Sequence, residues 1–202
     1  MKIYVVGNSR NRFHALDKIR TKYLIDKPKQ EDNIDFLNPW YCELVGLYHL
    51  WKNCTDDIVG LEHYRRYFAD SRNRLLCQND INRILSKHDV ICCLYKDRQS
   101  VFQSFKKHKF GTNDFFSLVK ELPNYELGRD YLCGRNFIVF NMFICKKEII
   151  DEYCEWFFNN ITQLEFHKEY RRYIGYIAEY IFGAWLHSKK LKLYYSRYVV
   201  NK

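Results

Sequence analysis

The segment Gly60-Leu61-Glu62-His63-Tyr64-Arg65-Arg66-Tyr67-Phe68 places a carboxylate, an imidazole, a phenol and two guanidinium groups side by side, directly after the apolar run Ile58-Val59-Gly60-Leu61. A planar guanidinium matches phosphate oxygens bidentately, so Arg65 and Arg66 could clamp a diphosphate. In extended backbone His63 and Arg65 face one way and Tyr64 and Arg66 the other, so one arginine of the two is expected to reach a given ligand. The same residues also describe a solvated basic turn over buried tyrosines.

A second constellation is Arg172-Tyr173-Ile174-Gly175-Tyr176-Ile177-Ala178-Glu179. On a helix Arg172 and Glu179 fall within about 20° of each other, about 10 Å apart along the axis. Gly175 lies near the same face and costs about 1 kcal/mol in a helix interior, which suggests close approach by backbone or ligand. A carboxylate and an arginine flanking a gap could hold an acceptor hydroxyl and a phosphate. Alternatively, Gly175 serves helix packing and the two charged residues bind other parts of the protein.

Smaller signals accompany these two. Asn141-Met142 interrupts the apolar run Phe137 to Cys145, and a buried Asn must either bond the backbone or face a ligand. His108 stands among lysines, as a surface histidine or a ligand contact, and Asn8 follows the first apolar run. Tyr41, Tyr48 and Trp51 recur at helical spacing and read as core. No G-x-x-x-x-G-K-[ST], G-x-G-x-x-G or G-x-S-x-G motif occurs, which removes support for the common nucleotide-hydrolase, dinucleotide and serine-hydrolase classes.

The elements that must position these groups follow from periodicity. Strands are expected at 2–6, 57–61, 89–94, 137–145 and near 191–199. Helices are expected at 39–53, with Asn38 as N-cap and Pro39 in the first turn, and at 80–87, 98–107, 113–121 (ending before Pro123), 147–165 and 169–187. Residues 10–38 read as a short helix plus loop. Strands alternating with helices imply one α/β domain with a mostly parallel central sheet flanked by helices, and ligands at the carboxyl ends of its strands.

Composition bounds the function. With 202 residues, 47% hydrophobic and 18% aromatic, the chain can bury one substantial core and is not a disordered tail. No apolar run approaches the roughly 18 residues that would span a bilayer, and Ile3-Tyr4-Val5-Val6 is too short for a signal-peptide core, so a cytoplasmic location is expected. The eight cysteines are scattered, with no C-x-x-C pair, and read as reduced, largely buried thiols; no metal site is expected. The net charge of +9 predicts an anionic partner: nucleic acid, a lipid headgroup surface or a phosphorylated small molecule.

Asp32-Asn33-Ile34, Asn38, Tyr41-Cys42-Glu43-Leu44, Leu47-Tyr48, Trp51-Lys52-Asn53, Gly60-Leu61 and His63 to Phe68 together resemble the DUF4422 family of capsular and exopolysaccharide biosynthesis proteins. The order continues through Phe140 to Ile144, Lys147-Glu148, Asp151 to Trp156, and Arg172, Gly175, Glu179 and Trp185-Leu186. The resemblance covers roughly residues 30 to 195 and implies a glycosyltransferase with a compact GT-A-like fold. It implies a nucleotide-sugar donor, a UDP-sugar such as galactose in pyranose or furanose form. The implied acceptor is lipid-linked or an oligosaccharide, with peripheral contact at the inner membrane face and no nucleic acid.

Most such enzymes hold the donor diphosphate through a metal on an Asp-x-Asp motif; here Glu62-His63-Tyr64-Arg65 stands in that kind of place, so metal-independent transfer is expected. Glu179 is the first candidate base, Glu62 the second, with His63 beside them. Arg65, Arg66, Tyr64, Asn8 and Arg172 are the candidate donor contacts, and Asn141, Met142 and His108 the candidate acceptor contacts. Two departures stand out: family members typically carry His where this chain has Asn8-Ser9, and residues 10–31 are shortened. Two other classes stay in view, a non-catalytic partner in a polysaccharide assembly complex and a basic nucleic-acid-binding module.

Overall fold

The computed structural model describes residues 1–14, 16–107, 112–162 and 170–201. Its strands are β1 (Lys2–Gly7), β2 (Arg20–Leu24), β3 (Ile58–His63), β4 (Arg66–Ala69), β5 (Val90–Lys96), β6 (Asn136–Lys146), β7 (Leu193–Tyr195) and β8 (Arg197–Val200). The helices are α1 (Asn38–Tyr41), α2 (Leu44–Asn53), α3 (Gln78–Leu85), α4 (Val101–Lys106), α5 (Thr112–Lys120), α6 (Tyr125–Cys133), α7 (Lys147–Ile161) and α8 (Tyr173–Ser188).

The main sheet runs β2-β1-β3-β6-β5-β7. Strands β2, β1 and β3 are mutually parallel, as are β5 and β7, while β6 is antiparallel to both β3 and β5. All strands of this path except β6 therefore point the same way, the mostly parallel sheet that alternating strands and helices imply. Buried on both faces, β1 is apolar nearly throughout, as a central parallel strand should be.

Helix α2 packs on β1 and β3, α7 and α8 pack on β6, and α6 lies against α8. Buried over most of its circumference, α8 forms the spine of the helical layer, and its almost wholly apolar sequence from Tyr180 to Leu186 leaves it no solvent-facing side. Tyr153 of α7 packs edge-on against both Phe182 and Trp185 of α8. All eight cysteines are free, five of them buried. Among the described residues no helix is long and apolar enough to cross a membrane.

Several elements depart from expectation for local reasons. Residues 20–24 form β2 rather than helix or loop, because Arg20 turns inward to meet Glu62 of β3. The expected helix 39–53 is broken at Cys42, whose φ of 53° ends α1 before α2 begins. Helix α6 follows Pro123 unforeseen, capped by the Asn124 side chain accepting from the Leu127 amide. The closing strand divides at Ser196 into β7 and β8, which serve different neighbours: β7 extends the main sheet beside β5, while β8 pairs with β4.

Candidate functional site

The carboxyl ends of β1 and β3, the α1–α2 joint, the middle of β6 and the start of α8 enclose a cleft of about 690 Å³. Asn8 lines it from beyond β1, Glu43 from the helix joint, His63 and the two following arginines from β3 and its turn, and Arg172 and Glu179 from α8. The location is where open α/β sheets gather ligands.

The floor of this cleft is a distortion of β6. Cys92 pairs with Phe143 and Leu94 with Ile138, so β6 spends extra residues opposite β5 and bulges. At its crest Phe140 and Asn141 have φ of 76° and 50°, left-handed values that cost a non-glycine residue roughly 1–2 kcal/mol each. Cleft side chains hold the bulge in place. The Phe140 amide donates to Glu179 Oε1 at 2.7 Å, and its carbonyl accepts from His63 Nε2 at 2.7 Å. The Asn141 side-chain amide donates to Glu43 Oε1 at 2.8 Å.

These contacts decide protonation. Burial pushes the Glu179 carboxyl up to about 7; the Phe140 amide opposes this, Glu43 adds to it, and Arg66 and Arg172 pull against it. Such a group is poised to exchange a proton at neutral pH. Burial pulls the His63 imidazole down, keeping the ring neutral. Its Nε2–H is committed to the Phe140 carbonyl, which leaves the Nδ1 lone pair as its acceptor.

Cations surround this pair of groups. The Arg66 guanidinium sits 4.2 Å from the Phe140 ring centroid and that of Arg65 5.6 Å from the Tyr64 ring. Arg172, at φ 63°, caps α8 with its amide bonded to the Pro39 carbonyl at 2.8 Å, and Arg171 lines the same cleft. Two arginine pairs thus reach the cleft, one from the turn after β3 and one from the start of α8.

The sequence profile of a domain of unknown function, DUF4422, matches residues 3–190. The chain belongs to the DUF4422 family. No curated protein matches it significantly. Among solved structures it is similar to the apo structure of WbbM, described as a bifunctional glycosyltransferase, with a TM-score of 0.75 and 20% identity. The likeness covers 100% of this chain and 45% of that one, so the DUF4422 chain spans under half of the solved protein. At this identity the comparison establishes the shared fold.

Within the DUF4422 domain the expected site residues separate cleanly. Glu179, His63, Tyr64, Arg65, Arg66, Asn8 and Arg172 all line the cleft. Both arginines reach it, against the expectation of one, because the chain turns at Tyr64-Arg65 and re-enters β4 instead of staying extended.

Glu62 does not reach the cleft. Strand alternation sends it to the face opposite His63, where it is 0% exposed and takes Arg20 Nε at 2.7 Å, Arg20 Nη2 at 3.1 Å and the Phe68 amide at 2.9 Å. This excludes it as the second candidate base. Met142 is buried in the core. Asn141, also buried, is occupied with Glu43 and the Gly175 carbonyl, so it braces the bulge and is not an open acceptor contact. His108 lies outside the described residues.

Arg172 precedes α8 in a left-handed conformation, so the helical alignment expected of it with Glu179 does not apply. Gly175 serves packing: a Cβ there would lie 2.9 Å from the Cys42 sulfur. Sequence reasoning passed over Glu43, Arg171 and the Phe140 backbone. Glu43 did leave a signal, as the single acid between Pro39 and Asn53; the left-handed Phe140 left none.

Proposed function

We propose that this protein is a glycosyltransferase that moves a sugar from a nucleotide donor to an acceptor hydroxyl. The observation that carries the reading is Glu179, a carboxyl raised to about 7 within a cleft faced by Arg65, Arg66, Arg171 and Arg172. The shared fold with a bifunctional glycosyltransferase is consistent with it. In an inverting displacement the acceptor oxygen forms a bond to the anomeric carbon as the bond to the donor diphosphate breaks. Glu179 takes the hydroxyl proton, and the nucleoside diphosphate departs with the electron pair, its growing charge met by the guanidinium groups. Arg66 lies over the ring of Phe140, whose amide bonds Glu179, and its charge favours the ionised carboxylate.

The turn after β3 suits arginine better than a divalent cation. The carboxylate before it, Glu62 of β3, is locked on Arg20, and guanidinium groups follow. The reading is metal-independent transfer, resting on those guanidinium groups, with a UDP-sugar as donor and a lipid-linked or oligosaccharide acceptor of bacterial surface-polysaccharide synthesis. The charge of +9 suits both an anionic donor and an acidic membrane surface.

A thermal-shift panel of UDP, GDP, CMP and their common sugars, each with EDTA and with manganese, tests this by mass action. Stabilisation by UDP compounds in EDTA is expected. A shift only with manganese would overturn metal independence, and none with any nucleotide would favour a non-catalytic partner in a polysaccharide assembly complex.

A further inference from the structure

With Asn141 and Met142 withdrawn into the interior, the acceptor needs another platform, and the ribbon of β4 and β8 supplies a candidate. Directly opposed residues of an antiparallel pair project to the same side. Arg66 opposes Val200 and Phe68 opposes Tyr198, so Arg66, Tyr198 and Val200 share one side of the ribbon. That side faces the cleft: the Phe140 ring has the Arg66 guanidinium 4.2 Å from its centroid and the Tyr198 ring edge-on at 5.0 Å. The other side is occupied, since the Tyr67 hydroxyl accepts the His14 amide at 3.0 Å.

Tyr198 and Val200 nevertheless remain 38% and 56% exposed, although each adjoins a residue of the cleft wall. The result is an aromatic and aliphatic shelf outside the cleft lining that adjoins it at Phe140 and Arg66. It begins at Phe140, the residue whose amide bonds the candidate base.

Starting from the transferase reading, we propose that Tyr198, with Phe140 and Val200, forms the acceptor subsite and takes a hexopyranosyl unit by stacking against its C–H face. A pyranose has one face rich in C–H bonds and a rim of hydroxyls. The Tyr198 ring and the Val200 methyls suit the face, and the Arg66 guanidinium at the inner edge suits the rim. Phe140 links this shelf to the candidate base, its ring meeting Tyr198 and its amide donating to Glu179. A lipid chain would gain little on a shelf bounded by a guanidinium. A nucleobase would instead make Tyr198 part of donor binding, which the test separates.

Saturation-transfer NMR with methyl galactosides, glucosides and mannosides reads the shelf directly, and UDP thermal shifts on the same samples read the donor side. The wild type is expected to saturate the C–H protons of one pyranose face in at least one glycoside. Tyr198→Ala should reduce that signal at least tenfold, Tyr198→Phe should keep it, and both should keep the UDP shift. Val200→Asp, at an open position, should weaken the glycoside signal without disturbing the Tyr198 ring. Three outcomes overturn the proposal: no glycoside signal in the wild type, wild-type binding by Tyr198→Ala and Val200→Asp, or loss of the UDP shift with glycoside binding intact. Tyr198-dependent glycoside binding without any nucleotide shift would uphold the shelf and sink the transferase reading.

Discussion

Glu62 and Glu179 are both carboxylates near the functional edge of the sheet, and burial pushes both upward, yet the fold surrounds them differently. Glu62 receives two guanidinium donors and an amide and is 0% exposed, so no substrate reaches it. Glu179 receives the Phe140 amide, with Glu43 as an unfavourable neighbour and its arginines near but unpaired with it. What separates the two carboxylates is how many donors the fold assigns to each. Burial alone does not distinguish them.

The sharpest break of that contrast is Glu179→Gln. Turnover should fall about 10²–10⁴-fold, while the nucleotide thermal shift is retained; ordinary turnover would remove Glu179 from the reaction. Glu62→Gln should act on the fold instead, lowering unfolding free energy in urea by about 1–3 kcal/mol, because Arg20 loses its buried charge partner and keeps only Asp17 and the Leu76 carbonyl. A loss well under 1 kcal/mol would show that the pair is dispensable.

The two residues also differ in pH response. The unfolded Glu179 carboxyl titrates near its ordinary value of 4.5 and the folded one at about 7. In between, the folded state holds a proton that the unfolded state has released. Its contribution to stability is full below 4.5 and is lost as pH rises to about 7, with a slope of about 1.4 kcal/mol per pH unit at most. Glu179→Gln should flatten this slope, measured by urea titrations across that range. As a base Glu179 works ionised, so turnover should rise with pH through about 7.

Glu43→Gln removes the neighbour that raises Glu179 and should move that acid limb to lower pH by under about one unit. An unmoved limb would separate Glu43 from the titration. A change that acts through packing alone is Gly175→Ala, whose Cβ would meet Cys42 Sγ at 2.9 Å and Cβ at 3.0 Å. Overpacking there should lower stability by about 1–3 kcal/mol, and it should perturb the cleft while leaving the Glu62 pair untouched.

Much of this arrangement was legible in residue order. Apolar runs announce β1, β3, β5 and β6, and helical periodicity announces α7 and α8, because these elements meet the core along continuous faces. What stayed hidden depends on partners distant in sequence. Arg20 sits inside a strand only because Glu62 lies across two strand pairings, and Glu43 gains its role only when Asn141 and His63 are brought to it. The turn at Tyr64-Arg65 defeats an alternation argument that assumes extended chain, and left-handed backbone at Phe140 is not encoded by a residue type that favours it.

The β8 strand carries a consequence for how the molecule comes together. It joins β4 across more than a hundred residues of intervening chain, and β4 itself meets β3 at the single pairing His63 with Arg66. Contacts of such sequence separation form late in folding. A chain that has collapsed around α8 but has not yet docked β8 would possess its core and lack one wall of its cleft. It would also show two unpaired strand edges to its neighbours, which makes this ribbon the region where crowding during refolding should first lead to self-association.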